Sequence, residues 1–171
     1  MIESILEFEE NNEFEEAFNA YKNLYSKQNL DYVIWKHFFF FLWISIEDAP
    51  KEFREKIDLN KELVNMLSDG KRNFSELAEF NFIAGYTVTL FPYEFGDFDI
   101  LEKQGKEMLL KATLIEPENI IYKMVHLGDL PNVNRKEYEK AVIAAKPIVQ
   151  KKFNGNGFLN KYFKHVLTRK I

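Results

Sequence analysis

Hydrophobic positions recur along most of the chain with the spacing of an α-helix, and the alternation typical of strands is scarce. The pattern therefore predicts an all-α fold of about eight or nine helices in antiparallel pairs, built as a single domain over residues 1–171. The predicted helices run to about Glu10, over Glu13–Lys27, over Tyr32–Ile46, from Pro50 with an interruption at "IDLN", over Asn73–Leu90, from Phe98 or Asp99 to Ile115, from Pro117 to His126 or Leu127, over Arg135–Phe153 and over Phe158–Arg169.

Polar and glycine-containing stretches predict the loops between these helices. "SDGKRN" is the clearest loop signal, "GDLPNVN" is another, and "NGNG" is a strong helix stop. Asp31 stands where it can cap the third helix. Pro147 lies inside a helical pattern, where it is expected to end or kink the helix because proline cannot donate a backbone hydrogen bond.

The stretch "WKHFFFFLWI", Trp35 to Ile44, is the most hydrophobic part of the chain. It is too short to span a membrane, which takes roughly 20 apolar residues, and charged residues close it on both sides. A helix that is apolar nearly all round is typical of a central, buried position. We therefore predict a buried helix, with an exposed groove for a partner as the alternative.

Composition and charge narrow the class of protein. The chain has no cysteine, so a disulfide framework and a thiolate nucleophile are excluded. An acidic beginning without a basic flank is unlike a secretory signal or a transit peptide, and we expect a cytoplasmic protein. Ten Lys and Arg against two acids from residue 132 onwards give a local charge of +8, so with a total of −4 residues 1–131 carry −12. The acidic part is either a docking surface for a basic partner or a solvated face, and nucleic-acid binding is not expected.

No catalytic or metal-binding motif stands out. His37, His126 and His165 lie far apart and match no metal-binding spacing. The segment "YEFGDFDILE" groups four carboxylates, which can cap a helix, contact a partner, or hold a cation or act as acid and base. We take them as candidate partner-binding residues, and we expect no enzyme activity, metal or cofactor: they are Glu94, Asp97, Asp99 and Glu102.

Two stretches resemble the tetratricopeptide repeat. In "NEFEEAFNAYKNLY", Phe14, Ala17 and Tyr21 stand at the repeat's characteristic small and aromatic positions, and Trp35 follows at the expected spacing. "KATLIEPENIIY" is similar to the end of a repeat. Phe39 stands where the motif has glycine, and the region from Pro50 to Gly96 has no consensus. The resemblance implies a tetratricopeptide-like irregular α-solenoid or compact helical array.

A second resemblance lies near the end of the sequence. "FNGNGFLNKYFKHVL" is similar to a pattern of small helical immunity proteins from bacterial toxin and contact-dependent inhibition systems. It implies a protein that binds one cognate toxin domain and blocks its active site. Toxin nucleases are typically basic, so a basic nuclease is a candidate for this partner, and an acidic inhibitor would bind it faster by electrostatic attraction. The alternatives are a tetratricopeptide-type adaptor or chaperone that holds a partner peptide in a groove, and a helical domain of a larger assembly. The oligomeric state stays open.

Overall fold

The computed structural model describes residues 2–168, and within them every regular element is helical, so the all-α prediction is confirmed. A short 3₁₀ turn, Pro92–Glu94, precedes the seventh helix. The ten α-helices are α1 (Ile2–Glu10), α2 (Phe14–Lys27), α3 (Tyr32–Asp48), α4 (Lys51–Lys56), α5 (Leu59–Phe74), α6 (Ala78–Leu90), α7 (Phe98–Ile115), α8 (Ile120–Asp129), α9 (Arg135–Lys152) and α10 (Phe158–Val166). None of the helices in this range is both long and apolar enough to cross a membrane.

Short polar side chains begin several helices by accepting hydrogen bonds from the first backbone N–H groups, which have no partner inside a helix. Asp31 accepts from the backbone N–H groups of Val33 and Ile34, at 2.8 and 3.2 Å, which confirms its predicted role. The break predicted in "IDLN" is also present, because Ile57 and Asp58 separate α4 from α5.

Two predictions from turn-forming residues are wrong, and a third is wrong in one of its two alternatives. "SDGKRN" is not a loop but the last part of α5, and the following helix begins at Ala78 rather than Asn73. Leu63, Leu67 and Phe74 are buried along one face of α5. The burial of this face outweighs the low helix propensity of Gly70 in "SDGKRN".

The other two concern proline: the helix start predicted at Pro117 is wrong, and at Pro147 the predicted helix end is wrong, whereas the kink predicted as the alternative stays a prediction. Pro117 lies in a turn, and α8 starts later, where the Asn119 side chain accepts from the N–H groups of Ile121 and Tyr122. Pro147 does not end its helix, since α9 continues to Lys152. The side chains of Pro147 and Ile143, four residues before it, are exposed, so water can serve the carbonyl that loses its donor. The predicted end of the last helix, Arg169, lies outside the described residues, but α10 already ends at Val166.

The chain divides into two compact units. Unit 1 consists of residues up to Asn73 together with Asn154–Tyr162, and unit 2 consists of Phe74–Phe153 together with the residues from Phe163 on. The expectation of a single domain stays a prediction.

Helix α3 forms the centre of unit 1. The four consecutive side chains from Phe38 to Phe41 are each at most 1% exposed, so the predicted burial of this stretch is confirmed. Tyr21 of α2 stacks on Phe38 with ring centres 5.1 Å apart. The indole N–H of Trp35, which would be costly to bury unpaired, donates to the Met66 carbonyl of α5 at 2.8 Å.

Two glutamates at the end of α1 bind the beginning of α10 within unit 1. The backbone N–H of Phe158 donates to Glu9 Oε2 at 2.6 Å, and that of Gly157 donates to Glu10 Oε1 at 2.8 Å. Gly157 has φ +90°, and a Cβ there would lie 2.8 Å from Glu9 Oε2, so only glycine suits this position. The carboxylates thus cap a helix N-terminus that lies far from them in the sequence.

In unit 2, helices α6 and α7 meet at two glycines. A Cβ on Gly85 would lie 3.0 Å from the carbonyl oxygen of Gly105, and a Cβ on Gly105 would lie 2.4 Å from Thr89 Oγ1 and 2.7 Å from the Thr89 backbone nitrogen. The backbones therefore approach as closely as only glycine allows.

We expect Gly105→Ala to lower the free energy of unfolding by about 2 kcal/mol. The new methyl group clashes with Thr89, which costs more than alanine's better helix propensity returns. Chemical unfolding followed by far-ultraviolet circular dichroism measures the change.

Two further variants separate the clash from other effects of the substitution. Glu107→Ala places an alanine on the exposed side of the same helix and should be nearly neutral. Adding Thr89→Ala to Gly105→Ala removes the nearest atom and should restore part of the loss. A Gly105→Ala protein as stable as the original would contradict the close crossing.

Candidate protein-binding surface

The four candidate carboxylates lie in one stretch of unit 2, residues 92–102, which we call the acidic–aromatic segment. It consists of the 3₁₀ turn, a short connection and the first turn of α7. Glu94 belongs to the 3₁₀ turn, Asp97 directly precedes α7, and Asp99 and Glu102 lie in the first turns of that helix. The four carboxylates therefore belong to one continuous segment of unit 2 around the start of α7.

The four carboxylates have different local roles. Asp97 caps α7, because its Oδ1 accepts from the Ile100 backbone N–H at 3.1 Å, and this was one of the roles predicted for it. Glu102 pairs with Lys106 one turn later, with Oε1 and Nζ 3.0 Å apart. Asp99 is exposed in the first turn of α7, and Glu94 is half-buried. Negative charge near this helix start is also favoured by the helix dipole.

Large apolar side chains are exposed between these carboxylates. Tyr93, Phe98 and Ile100 are 56%, 52% and 56% exposed. Isolated exposed apolar residues are ordinary, but three within eight residues and interleaved with acids are typical of a binding surface. Aromatic residues are also the residues most enriched in protein interfaces.

The acidic helices α1 and α2 have part of their negative charge buried or paired with lysine side chains. Glu9 is 2% exposed, and the Tyr21 hydroxyl donates to its Oε1 at 2.6 Å. Glu10 forms an ion pair with Lys161, and Glu15 pairs with Lys56 at 2.9 Å. Part of the acidic charge of this region is thus held by partners within unit 1.

Burial raises the pKa of Glu9 to about 7, although the hydrogen bonds from Tyr21 and from the Phe158 N–H oppose this shift. Desolvation alone would raise the pKa of Glu10, but the hydrogen bonds that it accepts from Lys161 and from the Gly157 N–H, together with the charge of Lys161, lower it overall. This pair could not be predicted from local sequence patterns, because the backbone groups that it caps, the N–H groups of Gly157 and Phe158, lie more than a hundred residues away.

The histidines do not come together. His37 is buried in α3, His126 is half-buried in α8, and His165 is exposed in α10. Among residues 2–168, no group of three or more His, Cys, Asp or Glu side chains is arranged to hold a metal ion.

Unit 2 also contains a cavity of about 520 Å³ that the sequence did not predict. Side chains of α6, α7, α8 and α9 line it, together with residues 166 and 167. Asp129 at the end of α8 is the acidic side chain among the described residues that line it. Burial raises the pKa of this carboxyl, and nearby Glu102 raises it further, while Lys106 and His126 lower it.

Comparison of the chain with protein-family models, with curated proteins and with solved structures finds no match. The tetratricopeptide-like and immunity-protein resemblances therefore stay predictions.

Proposed function

We propose that this chain is a non-catalytic, protein-binding protein that binds and blocks a basic toxin domain, as a bacterial immunity protein does. The observation that carries the proposal is the acidic–aromatic segment, where exposed Tyr93, Phe98 and Ile100 alternate with four carboxylates. An apolar contact surrounded by charge of one sign favours a partner of the opposite charge.

Charge and apolar area have separate tasks in this proposal. The carboxylates attract a basic partner over a distance and raise the association rate, an effect that salt weakens. The aromatic side chains lose water on contact and slow dissociation, since truncations in an interface act mostly on the dissociation rate. A toxin enzyme that handles nucleic acid carries the basic surface that such a segment would cover.

The first experiment uses the tagged chain to capture proteins from a lysate of its source cells at low and then at physiological salt. We expect mass spectrometry to identify one dominant basic protein with an enzymatic activity that the chain inhibits. A mixture of peptide-bearing clients without inhibition would instead support the adaptor function and contradict the proposal.

A pair of charge-matched variants then tests the surface. The test variant replaces the four carboxylates by their amides, and Asn at position 97 keeps the helix cap. The control variant neutralises four exposed carboxylates of unit 1, so each variant changes the formal charge from −4 to 0. The test set is Glu94→Gln, Asp97→Asn, Asp99→Asn and Glu102→Gln, and the control set is Glu47→Gln, Asp48→Asn, Glu52→Gln and Glu55→Gln.

We expect the test variant to bind the captured partner more than about fivefold more weakly, with a slower association rate and a smaller dependence on salt. The control variant should stay close to the original protein in each of these quantities. Surface plasmon resonance at two salt concentrations separates the rates. If the test variant binds within about fivefold of the original, these carboxylates are not the binding surface.

A further inference from the structure

The cavity of unit 2 has the size and the walls of a ligand site. Its volume of about 520 Å³ lies within the range of pockets that hold small organic molecules, roughly 300–1,000 Å³. Leu109, Met124, Val142 and Leu167 give it apolar walls. The apolar lining indicates a ligand with an apolar body, because such a ligand loses its contact with water on entering.

Among the described residues that line the cavity, Asp129 is the charged side chain. Lys106 and Glu102 lie close enough to change the pKa of Asp129, Lys106 by lowering it and Glu102 by raising it. These two side chains form an ion pair with each other, with Nζ and Oε1 3.0 Å apart. Lys106 is thus already paired with Glu102, and Asp129 places a half-buried carboxylate on the wall of the cavity.

Two aromatic rings add a second preference for positive charge. Tyr86 of α6 and Tyr138 of α9 both line the cavity. The ring of Tyr138 lies directly against α8 where that helix has a glycine, since a Cβ on Gly128 would approach the ring to 3.0 Å. The faces of aromatic rings attract cations, and they do so more strongly in a partly desolvated site.

We propose that this cavity binds an organic amine, with the ammonium group on the Asp129 carboxylate and the apolar body between the tyrosine rings and the aliphatic wall. An amine matches both the acidic and the apolar parts of the site, whereas a carboxylate ligand would meet the charge of Asp129 and a neutral ligand would offer it no opposite charge. The site is independent of the proposed binding to a toxin domain.

Methyl groups of methionine report on binding to the intact protein. The chain has four Met, of which Met124 lines the cavity and Met66 is buried in the core of unit 1. With ¹³C-labelled methionine methyls, phenylbutylamine is titrated beside phenylbutanol and phenylbutanoate, which share its apolar body and differ in charge. We expect the amine to shift the Met124 signal to saturation and to leave Met66 unchanged, with an affinity at least about tenfold higher than that of the alcohol.

Two substitutions then separate the contribution of the Asp129 charge from that of the cavity volume. Asp129→Asn should weaken the amine about tenfold and leave the alcohol within about twofold, and Val142→Phe should remove the binding of both by filling the cavity. Comparison of the three ligands on the unchanged protein decides the matter even if a variant fails to fold. Equal binding of amine and alcohol, tighter binding of the carboxylate, or no shift of Met124 with any of the three overturns the proposal.

Discussion

Phe40→Ala should lower the free energy of unfolding by about 3–5 kcal/mol, the largest effect that we expect from a single substitution in this chain. Phe40 is 0% exposed, and the centre of its ring lies 5.2 Å from the ring centre of Trp43 and 5.3 Å from that of Tyr162. The substitution removes these contacts and leaves a cavity that the close-packed helix α3 cannot collapse to fill.

Tryptophan fluorescence measures this loss in unit 1, because both tryptophans of the chain, Trp35 and Trp43, belong to that unit. Val33→Ala is the matched control, since Val33 lies in the same helix with 46% of its surface exposed. It should change the stability by less than about 0.5 kcal/mol. If the two variants unfold at the same denaturant concentration, α3 is not the core of unit 1.

Unit 1 should lose about 3 kcal/mol of stability as the pH rises from about 4.5 to above 7. Glu9 has a pKa of about 7 in the folded protein against 4.5 for an ordinary glutamate, so the folded state holds its proton more tightly than the unfolded state does. The stabilisation is complete below the unfolded pKa and disappears as the pH rises through the folded one. Urea unfolding followed by tryptophan fluorescence across this range measures the change.

Glu9→Gln tests whether the carboxyl of Glu9 causes this pH dependence of stability. The amide keeps the size of the side chain and can still accept from the Phe158 N–H, but it has no proton to lose. We expect a nearly flat stability between about pH 5 and 8 and a variant more stable than the original at the alkaline end. Glu10 has its pKa shifted in the opposite direction, so an unchanged pH dependence in Glu9→Gln would assign the effect to another group.

Periodicity predicted the helices well where one apolar face was long and its ends had polar caps. The burial of Phe38 to Phe41 and the cap at Asp31 could both be predicted, since each depends on neighbours in the sequence. Local signals failed where tertiary packing overrides them. The buried face of α5 keeps "SDGKRN" helical, and exposure of Pro147 to solvent allows α9 to continue.

The candidate surface was predictable because its carboxylates and aromatic residues are neighbours in the sequence. Their exposure, and the cap made by Asp97, needed the structure. The cavity and the close crossing of α6 and α7 at Gly85 and Gly105 could not be predicted, because each brings together residues from separate helices. The burial of Glu9 was hidden for the same reason, since its partners Tyr21 and Phe158 lie on other helices.

The discontinuity of unit 1 affects the order in which the protein can fold during synthesis. A ribosome makes residues 154–162 only after the whole stretch Phe74–Phe153 of unit 2. Until then Glu9 and Glu10 have no helix N-terminus to bind, and Phe40 lacks the ring of Tyr162. The aromatic core of α3 is therefore made early and completed late, and a nascent chain must keep it from associating with other chains in the meantime.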